Sequence, residues 1–210
     1  MSGTPGRFIT LEGGEGVGKS TQARLLQEAL KTRGINALLT REPGGSGGAE
    51  AIRELLLGGD DERWNIRTEA LLFAAARADH VRRTIKPALA VGRWVICDRF
   101  IDSSRAYQGG AGLVGDDDVM ALHQFGSRSL MPHRTILLTL SIDEATERVR
   151  RRDGDAHDRI ARRSDDYHLD VASFFLTIAQ AEPERVRTVD ASGTQEEVAG
   201  LVLAAISDLL

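Results

Sequence analysis

The chain has 210 residues, 41% of them hydrophobic, with a formal net charge of −4 and a single cysteine, Cys97. Such a length suits one domain, the acidic balance argues against a nucleic-acid-binding face, and one cysteine excludes an internal disulfide. Residues 1–7 lack the apolar core of a signal peptide and no run reaches about 18 apolar residues, so the sequence reads as a cytoplasmic protein without a membrane segment.

In chain order, residues 8–11 read as a buried strand and 21–33 as a helix with an apolar face of Leu25, Leu26, Ala29 and Leu30, stopped at Gly34. Between them Gly13-Gly14-Glu15-Gly16-Val17-Gly18-Lys19-Ser20 has the G-x-x-x-x-G-K-[ST] spacing of a phosphate-binding loop. Glycines let backbone N–H groups turn inward around an anion. Lys19 then reaches the β- and γ-phosphates, Ser20 offers its hydroxyl to Mg²⁺, and the helix points its positive end at the same anion. The expected ATP-binding set is Gly13, Gly14, Glu15, Gly16, Val17, Gly18, Lys19, Ser20 and Thr21. A glycine turn without a ligand is the bland alternative, and the strand–loop–helix order argues against it.

Residues 37–40 form a short strand that breaks at the Pro- and Gly-rich loop 41–48. A helix over 49–57, closed by Gly58 and Gly59, and a polar stretch over 60–67 lead to a long helix over 68–91. Strands follow at 93–98, 134–140 and 186–190, and helices at 116–130, 141–152 and 194–210. Ser141 and Glu144 have the spacing of a capping box. Strands alternating with helices imply crossover connections and a parallel sheet. The fold class is therefore α/β: a P-loop NTPase-type three-layer fold with a five-stranded parallel sheet flanked by helices on both faces. One domain over 1–210 is expected, with a lid at about 148–163. Ligands in such sheets sit at the carboxyl ends of the strands, which gathers 13–20, 41–45 and 98–99 along one edge.

Asp98, at the end of an apolar strand, suits Mg²⁺ held through water, with a turn-capping Asp as the bland alternative. Cys97 reads as a small core residue. Phe73 and Arg77 lie four apart on one helix face, where a ring can stack on a nucleobase and a planar donor can meet its oxygens; a core Phe is the competing reading. Arg148, Arg150, Arg151 and Arg152 precede a break at 153–155, with Arg159 soon after. Pairs such as Glu144–Arg148 and Glu147–Arg151 explain part of this run, and an arginine-bearing lid over phosphates explains the rest. The five histidines show no metal-ligand spacing.

The segments 11–21, 40–45, 71–77 and 98–110 together resemble the bacterial thymidylate kinases, across nearly the whole chain and in the right order. The Asp98-Arg99-Phe100 element, followed by Ser103-Ser104 and Ala106-Tyr107-Gln108-Gly109, is the most specific part. The resemblance implies transfer of the γ-phosphoryl of ATP to dTMP, giving dTDP, with Mg²⁺ at Ser20 and Asp98. The expected catalytic residues are Lys19, Arg99 and one or more of Arg148, Arg150, Arg151 and Arg152, with Arg159 as a further candidate; the sequence does not choose among the arginines of the lid. Glu15 would contact the 3′-hydroxyl; Arg99 with Arg41 or Glu42 and Pro43 would surround the monophosphate, and Arg53 would also face the acceptor. Phe73 would stack on thymine, Arg77 bind its 4-oxygen, Ser104 and Gln108 read the base edge, and Tyr107 crowd the 2′ position. A homodimer is implied as well. Phe100 stands where relatives carry Tyr or His, Ser104 where they often carry Thr or Asn, and no basic residue occupies positions 14–17. The alternatives are a kinase for another small molecule, or a nucleotide-switch or partitioning ATPase; the latter often carries an extra early lysine that the loop lacks.

Overall fold

The computed structural model describes residues 6–60, 62–153 and 159–210. Its centre is one sheet of five parallel strands: β1 (Phe8–Glu12), β2 (Ala37–Arg41), β3 (Trp94–Asp98), β4 (Arg134–Thr139) and β5 (Val186–Asp190), in the order β2-β3-β1-β4-β5. Each lies where the sequence places a strand. Leu11 and Arg41 both pair with Asp98, so β1, β2 and β3 end together.

Period-two alternation in β1 separates the two faces. Ile9 and Leu11 pack with Leu26 and Leu30 of α1 (Lys19–Thr32) and Val198 and Val202 of α9 (Gln195–Ala204). Phe8 faces the other way, with Val81, Ile85, Phe100 and Ile101. Phe100 is fully buried, edge-on to Phe8 at 4.8 Å and to His123 at 5.7 Å. A buried site flanked by two rings suits Phe, because a phenol there would need a partner for its hydroxyl.

The remaining helices are α2 (Gly47–Leu57), α3 (Ile66–His80), α4 (Lys86–Ala90), α5 (Ile101–Ser104), α6 (Asp116–Ser127), α7 (Ile142–Asp153) and α8 (Asp165–Ala181). The helix expected over 68–91 is α3 and α4 joined through a π turn at Val81–Ile85, and Asn65 caps it by accepting from Thr68 N at 2.9 Å. A second π segment, Arg105–Ala111, continues α5. Two expected ends move inward. α6 stops at Ser127 because Arg128 and Ser129 take positive φ of 54° and 52°, and α9 gives way to a 3₁₀ turn, Ser207–Leu209. Ser141 Oγ accepts from Glu144 N at 3.4 Å and donates to Glu144 Oε2 at 2.6 Å, half of the expected box, whereas the full reciprocal capping box forms at Thr194 and Glu197. α5 with its π segment and α8 are absent from the sequence reading.

Candidate active site

The strand–loop–helix unit builds the first part of the site. Gly13 has φ 132° and lies so close to the Leu138 carbonyl that no side chain fits there. Gly18, at φ 94°, turns the chain into α1. Lys19 is buried and donates through Nζ to the carbonyls of Gly14 at 2.5 Å and Gly13 at 3.3 Å. Burial, then the nearby Arg99, bring its ammonium down to about 8. Ser20 Oγ donates to Asp98 Oδ2. Hydroxyl and carboxylate oxygens therefore meet at the loop's end, a donor set that suits a hard cation completing its shell with water and phosphate.

Arg99 follows β3 in the left-handed region, φ 68°, with its N–H donating to Leu11 O at 3.0 Å. This turn sends the guanidinium back over the loop. It donates to Gly13 O at 2.9 Å, Ser103 Oγ at 3.0 Å, Glu15 Oε1 at 2.5 Å and Tyr107 Oη at 3.2 Å. Beneath it Glu12 is fully buried and accepts from Phe100 N at 2.7 Å and Ser103 Oγ at 2.5 Å. Burial, reinforced by Asp102, holds the Glu12 carboxyl well above the usual range. Neither Glu12 nor Ser103 was expected from sequence; period two in β1, which puts Glu12 on the Phe8 face, was the available signal.

A second cluster stands behind Phe73. Arg77 Nε donates to Glu42 Oε2 at 2.7 Å, and its Nη2 to Ser104 Oγ at 2.8 Å and Phe100 O at 3.2 Å. His80 Nδ1 lies 2.9 Å from the other Glu42 oxygen, and its Nε2 2.8 Å from Thr40 Oγ1. Glu42 is thus buried, with both oxygens engaged. Pro43 follows a cis peptide bond, and its carbonyl accepts from Arg53 Nη1 at 2.6 Å. Gln108 Nε2 donates to buried Glu69 at 2.9 Å. Phe73 is half-buried: it packs against the cluster of Tyr107, Ile160 and Phe175 and also lines the cavity.

One cavity of about 800 Å³ takes in the loop from Glu15, Arg41, Glu42, Pro43, Arg53, Phe73, Arg77, Asp98, Arg99, Ser104, Tyr107 and Gln108. It runs on to Gly193, Thr194 and Gln195 between β5 and α9, a wall that sequence reasoning missed. The arginine run divides. α7 rests on the phosphate loop, where Gly16 meets Ala145 and Val149 too closely for a side chain, and Arg148 lines the cavity. Arg150 and Arg151 are exposed and pair with Glu147 at 2.9 and 2.7 Å. The side chain of Arg152 and residues 154–158 of the expected lid lie outside what is described. Arg159, expected near the lid, is instead buried in an ion pair with Glu69 at 2.5 Å, because α3 offers a carboxylate with no access to solvent.

The thymidylate kinase family model matches residues 11–202. A thymidylate kinase of Rhizorhabdus wittichii is 56% identical over 206 residues, covering 98% of this chain and 99% of that protein. Thymidylate kinases from two strains of Rhodopseudomonas palustris are 48% identical over 203 residues, covering 96% of this chain and 88% of each. The match begins on the strand before the phosphate loop, ends in α9 and takes in every wall of the cavity, so this chain belongs to the thymidylate kinase family.

Proposed function

We propose that this chain transfers the γ-phosphoryl group of ATP to dTMP, giving dTDP and ADP. The observation that carries the reading is the continuity of one cavity from Lys19 and Ser20 to Phe73, Arg77 and Gln108. A donor phosphate and an acceptor base can share it with their phosphates facing each other.

The acceptor phosphate is already an oxyanion at neutral pH, so no strong base is required, and catalysis consists of positioning and charge stabilisation. An acceptor oxygen attacks the γ-phosphorus, the bond to the β–γ bridging oxygen breaks, and ADP leaves with that electron pair. Lys19 and the loop N–H groups hold the donor phosphates, and Arg99 brings the acceptor phosphate into line. Arg148 supplies the positive charge that positions 14–17 lack. Ser20 and Asp98 would hold Mg²⁺, which when bound neutralises charge on the phosphates. Phe73 stacks on thymine, Arg77 donates to its 4-oxygen, Ser104 and Gln108 face the base edge, and Tyr107 crowds the 2′ position. Glu15 serves the 3′-hydroxyl. Glu42 acts through Arg77, while Pro43 and Arg53 shape the phosphate side. The wall at Gly193–Gln195 takes the adenosine end of ATP.

A cytoplasmic homodimer belongs to the same reading, supported by the single buried free thiol of Cys97 and by apolar Leu71 and Phe125, 55% and 93% exposed. Among the described residues no helix is long and apolar enough to cross a membrane. The test is ADP release with ATP and a panel of dTMP, dUMP, dCMP and dAMP. Turnover that requires dTMP or dUMP is expected; equal rates without any acceptor would overturn the proposal.

A further inference from the structure

Two buried carboxylates stand behind the base end of the cavity, and they hold side chains of opposite hydrogen-bonding character. Glu42 holds Arg77, which can only donate. Glu69, fully buried on α3, holds Gln108, whose amide has a donor end and an acceptor end.

Glu69 Oε1 accepts from Gln108 Nε2 at 2.9 Å, while its Oε2 accepts from Arg159 Nη2 at 2.5 Å and Arg163 Nη2 at 2.7 Å. A carboxylate between guanidinium groups can only accept. The amide must therefore turn its NH₂ toward Glu69, which leaves Oε1 at the other end. Among the described residues no donor reaches Gln108 Oε1, and Gln108 lines the cavity beside Arg77. Its backbone is fixed nearby: Tyr167 Oη donates to Tyr107 O at 2.6 Å and accepts from Arg163 Nη1 at 2.5 Å.

We infer that Glu69 is a positioning residue that sets the orientation of the Gln108 amide and thereby selects thymine over cytosine. The inference rests on the proposed base pocket. Thymine presents a carbonyl at position 4 and an N–H at position 3, which match the Arg77 donors and the Gln108 acceptor. Cytosine presents an amino group at 4 and a bare nitrogen at 3, the reverse at both points. A free amide could flip and recover one of the two bonds; the Glu69 contact prevents the flip. Buried groups left unpaired by the wrong ligand are what give hydrogen-bonding sites their large selectivity.

The experiment compares kcat/KM for dTMP and dCMP, at saturating ATP, in wild type, Glu69→Gln and Glu69→Asp. At position 69, Gln can meet either orientation of the Gln108 amide. Asp keeps a charge for the arginines but withdraws its oxygens from Gln108, so it guards against loss of folding. In both, the dTMP:dCMP ratio is expected to fall at least tenfold with KM for ATP within twofold of wild type. Gln108→Met should lower the ratio as far, and adding Glu69→Asp to it should lower it no further. A purely structural role for Glu69 would depress both substrates alike and leave the ratio unchanged, which overturns the inference. If neither Glu69 variant folds, exchange of the Gln108 side-chain amide protons in wild type decides: protection supports the contact, and free exchange with solvent overturns it. Wild type that phosphorylates dTMP while the variants keep its ratio sinks this inference alone. Wild type inert toward dTMP sinks the pocket reading and this inference with it.

Discussion

Arg99 Nη2 donates to Glu15 Oε1 at 2.5 Å, tying the residue after β3 to the crest of the phosphate loop. The same guanidinium spans Gly13 O, Ser103 Oγ and Tyr107 Oη, so its planar fork, and not charge alone, organises this corner. Arg99→Lys keeps the charge and loses the fork. kcat/KM for dTMP is expected to fall by about 10²-fold, the loss of one or two charge-assisted hydrogen bonds. Steady-state kinetics within threefold of wild type would show that a point charge suffices.

Lys19 is a buried cation whose charged form burial disfavours. Lys19→Met keeps the shape of the stem and removes the charge. kcat is expected to drop by about 10²–10³-fold while the melting temperature at pH 7 does not fall. A variant that unfolds on heating well before wild type would make Lys19 a structural residue instead.

Glu12 gives a pH signature. Its folded pKa is raised, so between the ordinary value of 4.5 and about 8 the folded state holds a proton that the unfolded chain has released. In that window the unfolded state binds fewer protons, so stability falls as pH rises. Below 4.5 the group makes no difference, and above about 8 the penalty is constant. Urea midpoints at pH 5.5, 6.5 and 7.5 should show Glu12→Gln gaining on wild type by roughly 1–3 kcal/mol across the series. Parallel midpoints for the two proteins would contradict the raised pKa.

Of the arginines on α7, Arg148 lines the cavity while Arg150 and Arg151 pair with Glu147 in solvent. Exposed pairs of that kind contribute about 0–1 kcal/mol. Arg148→Ala is expected to lower kcat by about 10³-fold or more with little change in KM for dTMP, whereas Arg150→Ala and Arg151→Ala stay within threefold. A larger loss at Arg150 or Arg151 would reassign the transition-state charge.

Local signals carried far in this chain. Glycine spacing and the strand–loop–helix order marked the phosphate loop, because they answer to backbone geometry within ten residues. Apolar runs such as Trp94–Asp98 located all five strands, and their alternation with helices implied the parallel sheet. The long-range arrangement was hidden. α8 is not among the helices expected from sequence, although Val171, Phe175, Ile178 and Ala179 have helical spacing. The π turns depend on which face a helix must show after it has packed, which no local preference encodes.

Charge made the sharpest division between the two levels. The sequence shows arginines and glutamates as types, and on a linear chain each Arg of 148–163 is an equal candidate for a phosphate. The exposed Glu147–Arg151 pair is legible from its i,i+4 spacing, but only the tertiary structure pairs Arg159 with Glu69 and Arg99 with Glu15, because the partner of a buried charge is set by what the fold brings within hydrogen-bond distance once water is excluded. The phosphate loop and the places of the five strands along the chain thus follow from local chemistry, whereas their order in the sheet, β2-β3-β1-β4-β5, belongs to the tertiary structure. The function left to each charged side chain was decided by burial.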